Sequence, residues 1–323
     1  MAEVTYLEAL RQGLWEEMER DPRVFILGED VGAYGGAFKV TDGFVKRFGE
    51  ERMIDTPISE AAIVGAAAGA AHMGMRPVVE MQFIDFIANA YDMLTNYVAT
   101  ARYRAFLPCP MVVRGPSGGY VRGGPFHSQN PEAGFIHTPG LKVVYPSTAE
   151  DAKGLMKAAI RDEDCVLFFE HKYLYRRIKE ELPTDDFIVP IGKAALRRPG
   201  KDITLVTYGA MLYQAYEAAE ALSPDVELEI IDLRSIMPFD MEMVMDSVKK
   251  TSRCIVLHED TLTGGIGGEI AARLADEAFT YLEAPIKRIA SPDAPVPFAP
   301  TLEEAFLPKT ADVVKVAREL MAF

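Results

Sequence analysis

The sequence is poor in cysteine, in positive charge and in long apolar runs, and each shortage removes a class of protein. Cys109, Cys165 and Cys254 are isolated and show no CxxC spacing, so neither a disulfide framework nor a zinc site is expected, and a reducing cytoplasm is the expected compartment. Lysine plus arginine number 34 against 48 for aspartate plus glutamate, a net charge of -14. A chain so acidic is a poor partner for a phosphate backbone, which argues against nucleic acid and leaves a basic protein surface as the easier partner. No apolar run reaches the length of a membrane span, and Met1-Ala2-Glu3 leads straight into a Thr5/Glu8 capping box without a basic and then apolar leader. Neither a membrane anchor nor a targeting segment is therefore expected. GxxxxGK[ST] and HExxH do not occur. The glycines at 264–268 fail as a dinucleotide loop, because GxGxxG counted from Gly265 would need glycine where Ile270 stands; close packing of a helix onto a loop is the expected use.

What is present is an ordinary globular composition, 49% hydrophobic and 25% charged, in a chain of 323 residues, long enough for two domains. Leu7, Leu10, Leu14 and Met18 recur at helical spacing. The apolar run at 24–27 reads as a strand buried on both faces, and 52–54, 77–81, 111–114, 142–145 and 166–170 read as further strands, with helices between them except where a long turn-rich loop follows 111–114. Thr41 to Phe48 is a short helix ended by Gly49, Thr148 with Asp151 caps another, and a long helix is expected from the Phe83–Phe86 region toward Arg104. Pro57 keeps Thr56 extended, so Ser59 is placed to cap a helix that begins at Glu60 and continues through a run rich in alanine and glycine. The polar stretch 179–186 lacks apolar periodicity and divides the chain into 1–185 and 186–323. The second part repeats the alternation, with strands near 202–207, 226–232, 253–258 and 286–290. The fold class is α/β, with parallel sheets covered on both faces.

In such sheets ligands bind outside the carboxyl ends of the strands. Four strands of the first half bring chemistry to that edge: Glu29, the Ile58-Ser59-Glu60 turn, the aromatics Phe83 and Phe86, and the glycine-rich loop from Gly115 to His127. Each alone has a plainer reading. Glu60 could merely complement a helix dipole, Phe83 and Phe86 could be core, Glu29 could anchor a turn, and His127 could be a surface residue. Together they suit a flat, partly polar ring with a carboxylate on one of its nitrogens. Asp30, Asp85 and Arg122 are expected at most around the edge of that site.

The runs LGEDVG at 27–32, DTPISEAAIVGAAAG at 55–69, RGPSGG at 114–119, HSQNPEAGFIHTPGLKVV at 127–144, DAKGLMKAAIRDED at 151–164 and IDLRSIMPFD at 231–240 closely resemble the beta subunits of 2-oxo acid dehydrogenase E1 components. The likeness spans essentially the whole chain. It implies a thiamine diphosphate pyrimidine-binding domain over 1–185 and a transketolase C-terminal-like domain over 186–323. It implies that Glu60 bonds N1′ of the aminopyrimidine, that Phe86 lies against the ring with the backbone at Ile58 near it, and that Glu29 is the second carboxylate of the pocket. His127 is implied as the histidine that meets the decarboxylated intermediate and the lipoyl group. A monovalent cation such as K⁺, held by backbone carbonyls near Met111, Ala159, Asp162 and Asp164, is also implied. Gly-Asp-Gly, the family's motif for diphosphate and Mg²⁺, does not occur here, and the resemblance assigns it to an alpha subunit in an α2β2 heterotetramer. The remaining partners are a 2-oxo acid and a lipoyl-bearing E2 core, engaged through its subunit-binding domain. HSQNPEA at 127–133, FFEHKYLYR at 168–176, LTGG at 262–265 and LEAPI at 282–286 look more like the branched-chain type than the pyruvate type, with acetoin dehydrogenase a further alternative.

Overall fold

The computed structural model describes residues 3–323. A seven-stranded sheet runs in the order Ser235–Met237, Lys142–Val144, Val166–His171, Val112–Ser117, Arg76–Glu80, Val24–Gly28, Met53–Asp55. All its pairings are parallel except the one made by Ser235–Met237. A five-stranded sheet runs Lys287–Ser291, Cys254–Thr261, Ile203–Thr207, Leu228–Asp232, Ala195–Arg198, with only the last strand antiparallel. The central strands are buried along their whole length, which is why they read as continuous apolar runs rather than alternating ones.

The helix Tyr6–Arg20 starts at the expected capping box, with Thr5 and Glu8 bonding reciprocally, and buries Leu7, Leu10, Leu14 and Met18. It packs on Ala149–Arg161, itself capped by Thr148. The two backbones approach closely at Gly13, where a Cβ would stand 3.2 Å from the Lys153 carbonyl. Phe44–Phe48 ends at Gly49, whose φ of 80° explains the glycine. In the second half, Ile266–Glu277 begins at Gly265 hard against His258, as its glycines suggested.

One expectation needs correction, and two features go beyond what was expected. The long helix toward Arg104 is broken into a 3-10 segment Ile84–Ala90, a π segment Met93–Val98 and a short α-helix Ala101–Ala105. The hydroxyls of Thr95 and Thr100 bond to the carbonyls of Tyr91 and Asn96, four residues back, and compete with a regular ladder. The stretch 179–186 is less loose than its composition suggests. Lys179–Glu180 pairs with Val4–Thr5, and Asp186 bridges Lys157 and Arg161. Finally, Ser235–Met237 leaves the second half to complete the edge of the first sheet, and both apolar cores draw residues from both halves.

Candidate functional site

The carboxyl ends of Val24–Gly28, Arg76–Glu80 and Val112–Ser117 converge on one edge, and the loops that follow them carry the residues singled out in the sequence. Glu29 leaves the first of these strands and Glu60 opens the helix Glu60–His72. Both are buried, at 9% and 8% exposure, and neither makes a side-chain hydrogen bond or ion pair within the described residues. Burial, with the charges of Glu60 and Asp30 beside it, pushes the Glu29 carboxyl above its usual range. Ser59 is the N-cap as expected, but its hydroxyl makes no capping bond; its carbonyl accepts the Ile63 N–H at 2.9 Å. Next to it Ile58 stands 82% exposed.

The aromatic wall is present. Phe83 and Phe86 are half-buried, with ring centroids 6.3 Å apart at nearly right angles. His127 meets both edge to face, at 4.3 Å from Phe83 and 5.7 Å from Phe86. The His127 ring forms no hydrogen bond within the described residues, so its place is set by its loop and these two rings. Asp85 lies behind it: one oxygen accepts the Gln129 N–H at 3.0 Å, the other is buried without a hydrogen-bond partner among the described residues, and burial pushes the carboxyl up. Asp30 accepts from Gln82 at 3.1 Å. Arg122 turns outward, and its N–H donates to Glu303 at 3.0 Å.

Met111, Ala159, Asp162 and Asp164 meet around the turn before Val166–His171. Their carbonyls are already engaged in part: Met111 accepts from the Val166 N–H, Ala159 from the Asp162 N–H and Asp162 from Arg76. The side chains of Asp162 and Asp164 are paired with Lys142 and Arg102. Among the described residues no cluster of three or more His, Cys, Asp or Glu is arranged to hold a metal ion, and no helix is long and apolar enough to cross a membrane.

Two groups escaped the sequence reading. Beneath the site Arg114, 1% exposed, is gripped by Glu80 on one strand and by Glu170 on the other, at 2.5 and 2.6 Å for Glu170, which also takes the Tyr175 hydroxyl at 2.5 Å. A charge inside each of three buried strands was the sign that could have found this triad. The second is Glu259 of Cys254–Thr261, which reaches the loop that carries His127 from the other half of the chain. Its run His258-Glu259-Asp260 was visible, but its reach was not.

Residues 2–177 match the family described as transketolase, pyrimidine binding domain, and residues 192–313 match transketolase, C-terminal domain. The chain is 50% identical over 327 residues to the 2-oxoisovalerate dehydrogenase subunit beta of Bacillus subtilis (strain 168), with all of both chains covered. It is 46% identical to the pyruvate dehydrogenase E1 component subunit beta of Rhizobium meliloti (strain 1021), covering 98% of this chain and 70% of that relative. A solved structure described as a split gene transketolase, inactive beta4 tetramer, superposes with a TM-score of 0.80 over 99% of each chain at 23% identity, a likeness of fold.

Proposed function

This chain belongs to the beta subunits of 2-oxo acid dehydrogenase E1 components, and from that premise we propose that it is the pyrimidine-holding half of a thiamine diphosphate site. The assembled enzyme decarboxylates a branched-chain 2-oxo acid and passes the acyl group to a lipoyl-bearing E2 core. One observation carries the reading: Glu29 and Glu60 are two buried carboxylates without partners among the described residues, close enough for Glu60 to raise Glu29, at the sheet's carboxyl edge. Buried carboxylates are costly unless something donates to them, and a ring nitrogen that gains a proton is such a donor. The bound cofactor supplies the nucleophilic carbon. Glu60 would hold the ring nitrogen, Glu29 would tune the charge beside it, and Phe86 with the backbone at Ile58 would flank the ring. His127, whose ring nitrogens are uncommitted within the described residues, would hydrogen-bond the acyl group in transit and the incoming lipoyl group.

The diphosphate and Mg²⁺ fall to an alpha subunit, since Gly-Asp-Gly is missing from this sequence, and an α2β2 assembly follows. The 82% exposure of Ile58 beside the pocket suits a face that a second chain covers. The acidic second half is the proposed contact for the E2 subunit-binding domain. The division at 185/186 is supported by family matches that end at 177 and resume at 192. The second lone pairs of the carbonyls at Met111, Ala159, Asp162 and Asp164 are the proposed seat of a monovalent cation. Three free, buried thiols suit a cytoplasmic setting; burial pushes those of Cys109 and Cys254 up to about 11 and about 12, so they are unreactive. A preference for pyruvate is the second reading, favoured by the names of relatives 46% and 44% identical to this chain.

His127→Ala tests the division of labour within the pocket. Assembled with its alpha partner, the variant is expected to lose reductive acylation of lipoyl-E2 at least about tenfold more than decarboxylation followed with a redox dye, a loss on the scale of a positioned acid–base group. Equal losses in the two assays would assign His127 a shared positioning role instead.

A further inference from the structure

Resting on the reading of His127 above, we propose that Glu259 is a positioning residue for His127: from the second half of the chain it fastens both ends of the loop that carries the histidine. That loop, from Gly118 to Asn130, has one 3-10 turn, Gly124–Phe126, and few bonds of its own. Its internal ties are Gly118 N–H to the Gln129 carbonyl at 3.2 Å, which closes the base of the loop, His127 N–H to the Gly124 carbonyl at 3.3 Å, Gly123 N–H to the Ser128 hydroxyl at 3.2 Å, and the Gln129 amide to the Pro125 carbonyl at 2.9 Å. With no hydrogen bond of its own within the described residues, the His127 ring goes where these ends are held.

One oxygen of Glu259 accepts the Gly119 N–H at 2.6 Å and the Asn130 amide at 2.8 Å, drawing the entry and the exit of the loop to a single atom. Among the described residues it is the side chain that bonds both Gly119 and Asn130, beside the Gly118–Gln129 bond that closes the base of the loop. Its other oxygen is held by His171 at 2.8 Å. The Asn130 amide is fixed in turn, because its oxygen accepts the Tyr145 hydroxyl at 2.7 Å and its nitrogen must therefore face Glu259. Gly118, with φ at 84°, lies flush on the His171 imidazole, where a Cβ would collide. Glu259 is 6% exposed, and although burial pushes its carboxyl up, His171 and the bonds from Gly119 and Asn130 outweigh that and hold it below the usual range. It stays ionised, and charge-assisted acceptors of this kind are the stronger ones. The five-stranded sheet thereby aims a side chain that works at the edge of the seven-stranded one.

The experiment uses the assembled heterotetramer. Glu259→Ala is expected to lower lipoyl acylation about tenfold to a hundredfold, the scale of an angstrom-level misplacement, and dye-linked decarboxylation several-fold less. Glu259→Gln keeps an oxygen for Gly119 and Asn130 and is expected to restore most of the loss. In the His127→Ala background, Glu259→Ala should cost less than about threefold further, because two residues that act as one unit do not add. Should Glu259→Ala fail to assemble, Asn130→Ala, which removes only the bond from Glu259 to the loop's exit, is expected to show the same selective loss and the same lack of additivity. Equal loss in both assays, or losses that multiply in the double variant, would overturn the proposal. A His127→Ala variant with no selective loss would instead overturn the reading of His127 on which it rests.

Discussion

Glu60→Gln, assembled with the alpha partner, is expected to lose turnover by roughly two orders of magnitude or more, the range of a positioned acid–base group, while keeping its fold and much of its cofactor binding. The substitution keeps the shape of the side chain and removes the charge it shares with a ring nitrogen. The direction of the stability change separates this role from a plainer one. Glu60 has no hydrogen-bond or ion-pair partner within the described residues and raises its neighbour Glu29 by repulsion, so neutralising it should leave the melting temperature unchanged or slightly higher. It should also let the Glu29 carboxyl fall back toward its ordinary range. A carboxylate that only complements the helix Glu60–His72 would behave oppositely, with stability lost by a few tenths to about 1 kcal/mol and turnover intact. Hydrogen–deuterium exchange at the thiazolium C2 gives a readout independent of turnover, and near-normal exchange with near-normal turnover would return Glu60 to the dipole role.

Arg114→Met should be the most damaging single change to stability. Arg114 joins Glu80 and Glu170 across three adjacent strands beneath the pocket, fully buried. Replacing it by a side chain of similar length leaves two carboxylates facing each other without a cation, and breaking a buried pair in this way costs about 3–5 kcal/mol. Burial already pushes the Glu80 carboxyl above its usual range against the pull of Arg114. With Arg114 gone the pair binds protons more readily in the folded state, so the penalty should shrink as pH falls. Melting curves of the assembled variant from neutral to mildly acidic pH check both statements. An unchanged melting temperature at neutral pH would mean that the triad contributes specificity rather than stability. Arg114→Lys keeps the charge but not the fork that grips both oxygens of Glu170, and should lie between the two.

Much of the fold was legible because its determinants are local. Thr5 with Glu8, Thr148 with Asp151, and Gly49 mark helix ends through contacts a few residues apart, and strands buried on both faces announce themselves as unbroken apolar runs. The pocket was legible for a different reason: in a parallel sheet the loops after the strands share one edge, so Glu29, Glu60, Phe86 and His127 could be gathered without knowing their distances. What stayed hidden depends on partners far away in the chain. Ser235–Met237 is too short to declare which sheet it joins, and the stretch between Ala90 and Ala101, where the regular helix is lost, holds threonine hydroxyls bonded to carbonyls within their own helix. Glu259 looks like any acidic residue after a strand until Gly119 and Asn130 are brought to it.

The composite nature of the site is tested most directly by one assay: decarboxylation of 2-oxoisovalerate in the presence of thiamine diphosphate and Mg²⁺, by this chain alone, by the alpha chain alone and by the two mixed. Turnover is expected only from the mixture, with a higher kcat/KM than for pyruvate. Robust turnover by this chain with no second polypeptide detectable by mass spectrometry would contradict it.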